Sequence, residues 1–192
     1  MLKHSFVFCL ALGFASVASA GFLATDPVAL PGFKGSQPFV SGTLNVNVDY
    51  AVFAPGAYPI AEDPSLGSEF VYAYQIFPHD FKPVTFFTVG LAVSGTHNPA
   101  IDLLHATIGG TPPTAWTIQS SSAVGAFFTP NLLSPAYSPV LIFTSAKIPG
   151  FGPASVGDGG LSSQQTLPTP IPEPASLAFG LLAAGALLRR SR

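Results

Sequence analysis

The sequence predicts an all-β fold, a single antiparallel β-sandwich or jelly-roll-like domain, and three observations carry that expectation. Short runs rich in β-branched and aromatic residues recur along the body of the chain. The stretches between them are stocked with Pro, Gly and Asn, which supply the backbone angles that turns need. No window of the body carries an apolar stripe at helical spacing. At 192 residues, with a processed segment expected at each end, the remaining body suits one hydrophobic core.

The first clear strand begins near Leu44. Leu44, Val46, Val48, Tyr50 and Val52 fall on one face, with Asn45, Asn47 and Asp49 opposite, the alternation of a half-buried strand. Ahead of it, residues 21–38 are rich in Pro and Gly and read as irregular. Further strand-like runs follow at Phe70–Phe77, Val84–Val93, Ile101–Ile108, Trp116–Gln119, Val124–Phe128 and Val140–Thr144. Pro78, Pro83, Gly95, Asn98, Gly109, Gly110, Pro112, Pro113, Pro130 and Pro135 punctuate them. Seven short strands with regular turn signals favour two stacked antiparallel sheets over a barrel. The all-β domain is therefore expected over residues 21–148. Residues 149–171, dense in Pro, Gly, Ser and Gln, read as a flexible linker.

Charge is scarce and unevenly placed. Charged residues are 8% of the chain, about a third of the usual share, which points away from a charge-coated helical cytosolic protein. Between Gly21 and Ile171 the three lysines Lys34, Lys82 and Lys147 face eight carboxylates, a net charge of −5. The lysines are scattered singly, so the clustered cations needed to neutralise a nucleic acid are missing. The one cysteine, Cys9, lies in the N-terminal apolar run, so the body forms no disulfide and must be held by packing. Val7 and Phe8 ahead of Cys9 are not the small residues that lipid attachment requires.

Residues 1–20 read as a secretory signal peptide. Lys3 and His4 open it, Phe6–Val17 form a mostly apolar run, and Ala18-Ser19-Ala20 provides a small-residue exit cleaved after Ala20. The apolar run is well short of the ~20 residues that span a bilayer. At the other end, Pro172-Glu173-Pro174 is followed by Ala175–Leu188, free of charge, and then by Arg189, Arg190 and Arg192. As a helix rising ~1.5 Å per residue, the uncharged stretch measures about 21 Å against a hydrocarbon thickness of ~30 Å. It needs flanking residues or local thinning to cross. Positive residues resist translocation, so the arginines stay cytoplasmic and the body lies outside. Gly180, Ala183, Ala184, Gly185 and Ala186 give the tail a small-residue surface suited to docking on another membrane helix.

This order of Pro-Glu-Pro, short apolar helix and terminal arginines resembles the PEP-CTERM sorting signal of exported bacterial proteins, over residues 171–192. The resemblance implies recognition by an exosortase, a membrane-embedded transpeptidase-like enzyme, and cleavage close to Pro172-Glu173-Pro174. It also implies an envelope of the Gram-negative type, a membrane tether lost on processing, and association with exopolysaccharide or biofilm. Phe70–Phe77, with Tyr72 and Tyr74, is similar to a Tyr-rich strand found in many proteins carrying this signal. A tail removed in this way leaves the mature protein without a membrane span.

The body offers few sets that could do chemistry. His79 with Asp80, His97, and Asp102 with His105 are candidate metal ligands, yet residues three apart lie on opposite faces of a strand. Solvated turn histidines are the blander expectation. No Gly-x-Ser-x-Gly elbow occurs, and the body has no cysteine nucleophile. Glu62, Asp63 and Glu69 could supply paired carboxylates or oxygen ligands for calcium, and otherwise form a solvated acidic loop. Asp158-Gly159-Gly160 lacks the repeated acidic spacing of a calcium loop. Trp116, with Tyr58, Tyr72, Tyr74 and Tyr137, is the candidate sugar-stacking set if exposed, although such rings more often fill a core. The sequence therefore favours a non-catalytic exported protein with no cofactor. A carbohydrate-binding module is the first alternative and a secreted hydrolase the second.

Overall fold

The computed structural model describes residues 22–91, 98–120 and 122–172. Within them a single helical turn, α1 (Phe22–Thr25), precedes ten strands. These are β1 (Lys34–Ser41), β2 (Leu44–Phe53), β3 (Phe70–Pro78), β4 (Val84–Gly90), β5 (Ala100–Asp102), β6 (Ala115–Ser120), β7 (Ala123–Leu132), β8 (Val140–Ser145), β9 (Pro149–Gly157) and β10 (Ser162–Pro170). They form two antiparallel five-stranded sheets, the first in the order β1-β2-β3-β8-β5 and the second β10-β9-β4-β7-β6. The signal peptide, the tail and Val93 lie outside the described residues. Among the described residues no helix is long and apolar enough to cross a membrane.

Alternation along the strands builds the core. Val46, Val48 and Val52 of β2, Tyr72, Tyr74 and Ile76 of β3, and Leu141 and Phe143 of β8 point from the first sheet into one apolar cluster. Phe87 and Val89 of β4, Trp116 of β6, Val124, Ala126 and Phe128 of β7, and Val156 of β9 enter the same cluster from the second sheet. The alternation read from Leu44 to Val52 therefore has its apolar face inward. The opposite face is not left in water at its far end. Ala51 and Phe53 join Val71, Ala73, Val140 and Ile142 in a second buried cluster, roofed by Leu23, Ala29 and Tyr58. The first sheet is thus buried on both sides over part of its area.

Three expectations are corrected. Residues 101–108 do not run as a strand: after Asp102 its carboxylate takes the Leu104 and His105 amides at 2.7 and 3.1 Å and turns the chain away. Residues 34–38, read as irregular, open β1, an edge strand on which Pro38 needs no ladder donor.

The third correction is the largest. Residues 149–170 are not a linker but the β9–β10 hairpin, with nine registered pairs from Pro149↔Pro170 to Gly157↔Ser162. The domain accordingly extends to Pro170. The prolines are compatible with this because β10 is an edge, and Pro149 and Pro153 precede the Ala154–Gly157 stretch that pairs with β4. Two of the glycines are there for space. A Cβ on Gly152 would sit 2.4 Å from the Thr169 side chain, and one on Gly157 would sit 2.4 Å from the Phe86 ring. The turn is closed by Asp158, whose Oδ1 accepts the Gly160 and Leu161 amides at 2.8 and 2.5 Å. Those two backbone bonds hold its carboxyl below the usual value.

Leu167 is fully buried in the main core. Leu167→Ala should lower the unfolding free energy by about 2–5 kcal/mol in urea titrations. An unchanged midpoint would return the segment to the status of a linker.

Candidate functional site

The densest set of polar and titratable groups lies on the outer side of the first sheet, where the chain after α1 meets the bend after β5. Asp26 and Asp102 are buried, Tyr58 is buried, and His105 is nearly so. The Tyr58 hydroxyl donates to Asp102 Oδ2 at 2.7 Å, and His105 Nε2 lies 3.1 Å from Asp26 Oδ2. The Asp26 Oδ1 accepts the Val28 amide at 2.8 Å, while its backbone carbonyl accepts Lys34 Nζ at 2.6 Å. Aromatic rings enclose the imidazole: Tyr58 at 4.8 Å, Phe53 edge-on at 5.6 Å and Phe22 at 6.3 Å. Burial, then the hydrogen bond and negative charge of Asp102, push the Tyr58 phenol far above its ordinary value. It is a neutral donor throughout the physiological range.

These groups bond to one another and to loop backbone. Asp102 and His105, paired in sequence as candidate metal ligands, do not converge: Asp102 caps the bend and takes Tyr58, and His105 turns to Asp26. Asp26 was invisible as a partner, since 79 residues separate it from His105. The only sequence signal was an aspartate in an otherwise charge-poor lead-in. A neighbouring pair extends the same work, as buried Gln75 donates from Nε2 to the Thr107 and Ser138 carbonyls at 2.9 and 3.0 Å. Together these contacts fasten the N-terminal segment and the 103–108 bend over the first sheet. They act as a clasp.

The other candidates are dispersed. His79 and Asp80 are exposed in the β3–β4 turn, where the His79 amide donates to the Asn45 carbonyl. His97 lies outside the described residues. Among the described residues no three His, Cys, Asp or Glu side chains gather to hold a metal ion. Asp63 is buried and organises its own loop, its two oxygens accepting the Ser65 amide, the Ser65 hydroxyl and the Gly67 amide at 2.7, 2.7 and 3.0 Å. The acidic cluster is therefore not a solvated loop at this position. An open cleft of about 690 Å³ lies between the β1–β2 and β3–β4 turns, lined by Gly42, Thr43, Asp80, Phe81, Lys82 and Pro83.

The sugar-stacking set is corrected in the same way. Trp116 is 6% exposed, and its Nε1 donates to the Ile142 carbonyl at 2.7 Å across the core. Tyr58, Tyr72 and Tyr74 are buried, and the Tyr137 hydroxyl donates to the Ile108 carbonyl. Trp116, Tyr72 and Tyr74 became core because inward positions of the sheets need large apolar bodies, with polar tips that find carbonyls, whereas Tyr58 packs in the second cluster against Asp102 and Tyr137 is only half-buried. Pro172 is exposed at the end of the described residues. Ala18, Ala20, Glu173, Pro174, Arg189, Arg190 and Arg192 lie outside them.

No protein-family model matches the chain, and neither a curated protein nor a solved structure matches it.

Two measurements follow. His105→Ala leaves the buried Asp26 carboxylate short of a partner and should speed amide exchange across residues 22–31, at a cost of about 1–3 kcal/mol. Spectroscopic titration should find Tyr58, Tyr72 and Tyr74 silent from pH 10 to 12 in the native protein, while all five tyrosines ionise in urea. Because the folded values are raised, the stability these phenols contribute is complete below about pH 10 and is lost as pH climbs above it.

Proposed function

We propose that the chain is a non-catalytic exported protein of the cell envelope or extracellular matrix, sorted by its C-terminal segment and then released or transferred. The observation that carries this reading is the ordered C-terminal triplet of Pro172-Glu173-Pro174, an uncharged stretch to Leu188, and Arg189, Arg190 and Arg192. An exosortase-type membrane enzyme is the processing partner in this reading, and the secretion machinery delivers the chain. Before processing the protein is tethered to the inner membrane with its body outside. Afterwards it belongs to the envelope, the cell surface or the medium, in association with extracellular polysaccharide.

The body is read as a β-sandwich that serves as a structural or binding unit. Its most concentrated acid, histidine and tyrosine groups are engaged in holding a segment onto a sheet, which supports a non-catalytic role. The finding that β10 ends at Pro170 alters the picture of the tail. Only Ile171 separates the last strand from Pro172, so the proposed cleavage site adjoins the folded body.

The test is intact-mass analysis of the protein recovered from the native envelope and from the medium. The expected species lacks residues 1–20 and the segment beyond Pro172-Glu173-Pro174. A membrane-bound species retaining Arg192 overturns the sorting reading in favour of a tail anchor.

A further inference from the structure

The outer face of the second sheet combines uncharged strands with an ordered pattern of outward side chains. Its strands, β4, β6, β7, β9 and β10, contain no Asp, Glu, Lys, Arg or His, whereas the first sheet carries Lys34, Asp49 and Asp102. Pair registers place the outward residues in rows. One row runs Ala115, Phe127, Phe86, Gly157, Ser162. The next runs Thr117, Gly125, Thr88, Ser155, Gln164. The second row thus holds hydroxyls and an amide on either side of Gly125, over which the Gln119 side chain lies while its Nε2 donates to the Thr117 hydroxyl at 2.8 Å.

The first row holds rings in a particular posture. Phe86 stands opposite Gly157, and a Cβ added there would meet the ring atoms Cε1 and Cζ at 2.4 and 2.5 Å. The ring therefore lies down across the neighbouring strand instead of standing upright. Its cross-strand partner Phe127 is 44% exposed although it sits mid-sheet. A low aromatic shelf beside a row of neutral hydrogen-bonding groups matches a pyranose ring, which presents an apolar C–H face and a rim of hydroxyls. The missing charges select among such ligands. With no cation on the face and a body of net charge −5, an acidic polymer finds nothing to pair with and a field that repels it.

We propose that the outer face of the second sheet binds a neutral polysaccharide, stacking a sugar ring on Phe86 and Phe127 and contacting its hydroxyls through Thr117, Thr88, Ser155 and Gln164. This deepens the matrix reading by assigning it a ligand class and a face, and it rests on the body lying outside the membrane. It replaces Trp116, which is buried, as the sugar-contacting position.

Affinity electrophoresis tests it, using the full chain recovered from its native envelope. The gels contain dextran, galactomannan or xyloglucan as neutral probes and alginate as the anionic one. At least one neutral gel should retard the wild type, and alginate should not. Phe127→Ala, at an exposed position, should weaken that binding by about tenfold. Ser155→Asp, which puts a carboxylate in the hydroxyl row, should weaken it as well, with unfolding midpoints unchanged in both variants. The proposal is overturned if no neutral probe retards the wild type, or if both variants bind as it does. It is equally overturned if the variants abolish a concentration-dependent self-association instead, which would give the face to a second copy of the chain. A retained tail with binding intact would sink the sorting reading and leave this one standing, and the reverse pattern would do the opposite.

Discussion

Two buried hydrogen bonds cross between the sheets, and the arrangement of the core depends on them. The Trp116 indole in the second sheet donates to the Ile142 carbonyl in the first, and the Tyr74 hydroxyl in the first donates to the Pro168 carbonyl in the second. Apolar contact alone is non-directional and would let two such sheets slide. A buried donor that loses its acceptor forfeits about 1–3 kcal/mol, so each bond penalises slippage. The rings that bear these donors are also the bulk of the interior: Tyr72 stacks on Phe143 at 5.0 Å, and Trp116 lies 6.2 Å from Phe87 at a shallow angle. With no cysteine in the body, the core is held by this aromatic packing and not by a disulfide.

The same core explains why the β9–β10 hairpin is indispensable. Pro168 offers its carbonyl to Tyr74 from β10, and Leu167 fills the space beside it. At the far edge the hairpin also reaches the first sheet, where the Ser163 hydroxyl donates to the Val40 carbonyl and Gln37 meets Gln165. Without these strands the second sheet would lose an edge and the core a wall. Only Ile171 lies between the end of this strand and Pro172-Glu173-Pro174, so in the proposed sorting reading that segment is presented next to the finished fold.

The two outer faces are then free to diverge. That of the first sheet is roofed by the N-terminal segment and two loops, held by the Asp26–His105 and Tyr58–Asp102 contacts, and the titratable groups of the body collect there and in the turns. The strands of the second sheet carry no charged residue. Gly125 and Gly157 give the Gln119 and Phe86 side chains room to lie across the sheet, and the charged residues of the body lie outside its strands. A protein with few charges to distribute has thus placed them in the first sheet, its cover and the connecting turns, and none in the strands of the second sheet.

The sequence by itself determined the all-β class and most strand positions, because period-two alternation such as Leu44 to Val52 reports local backbone geometry directly. Its readings of the two ends rest on linear signals and stand as proposals, since those residues, Pro172 aside, lie outside the described ones. Composition misled where it stood in for geometry. Pro and Gly between 149 and 170 suggested a linker, yet an edge strand tolerates Pro and a crowded sheet needs Gly, and both facts depend on neighbours distant in sequence. The clasp was illegible for the same reason, since nothing local marks Asp26 as the partner of His105. Only the tertiary structure decided which aromatics are core and which are surface: Trp116 and Phe127 sit on strands that pair with each other, but the pleat turns one toward the opposite sheet and the other toward solvent.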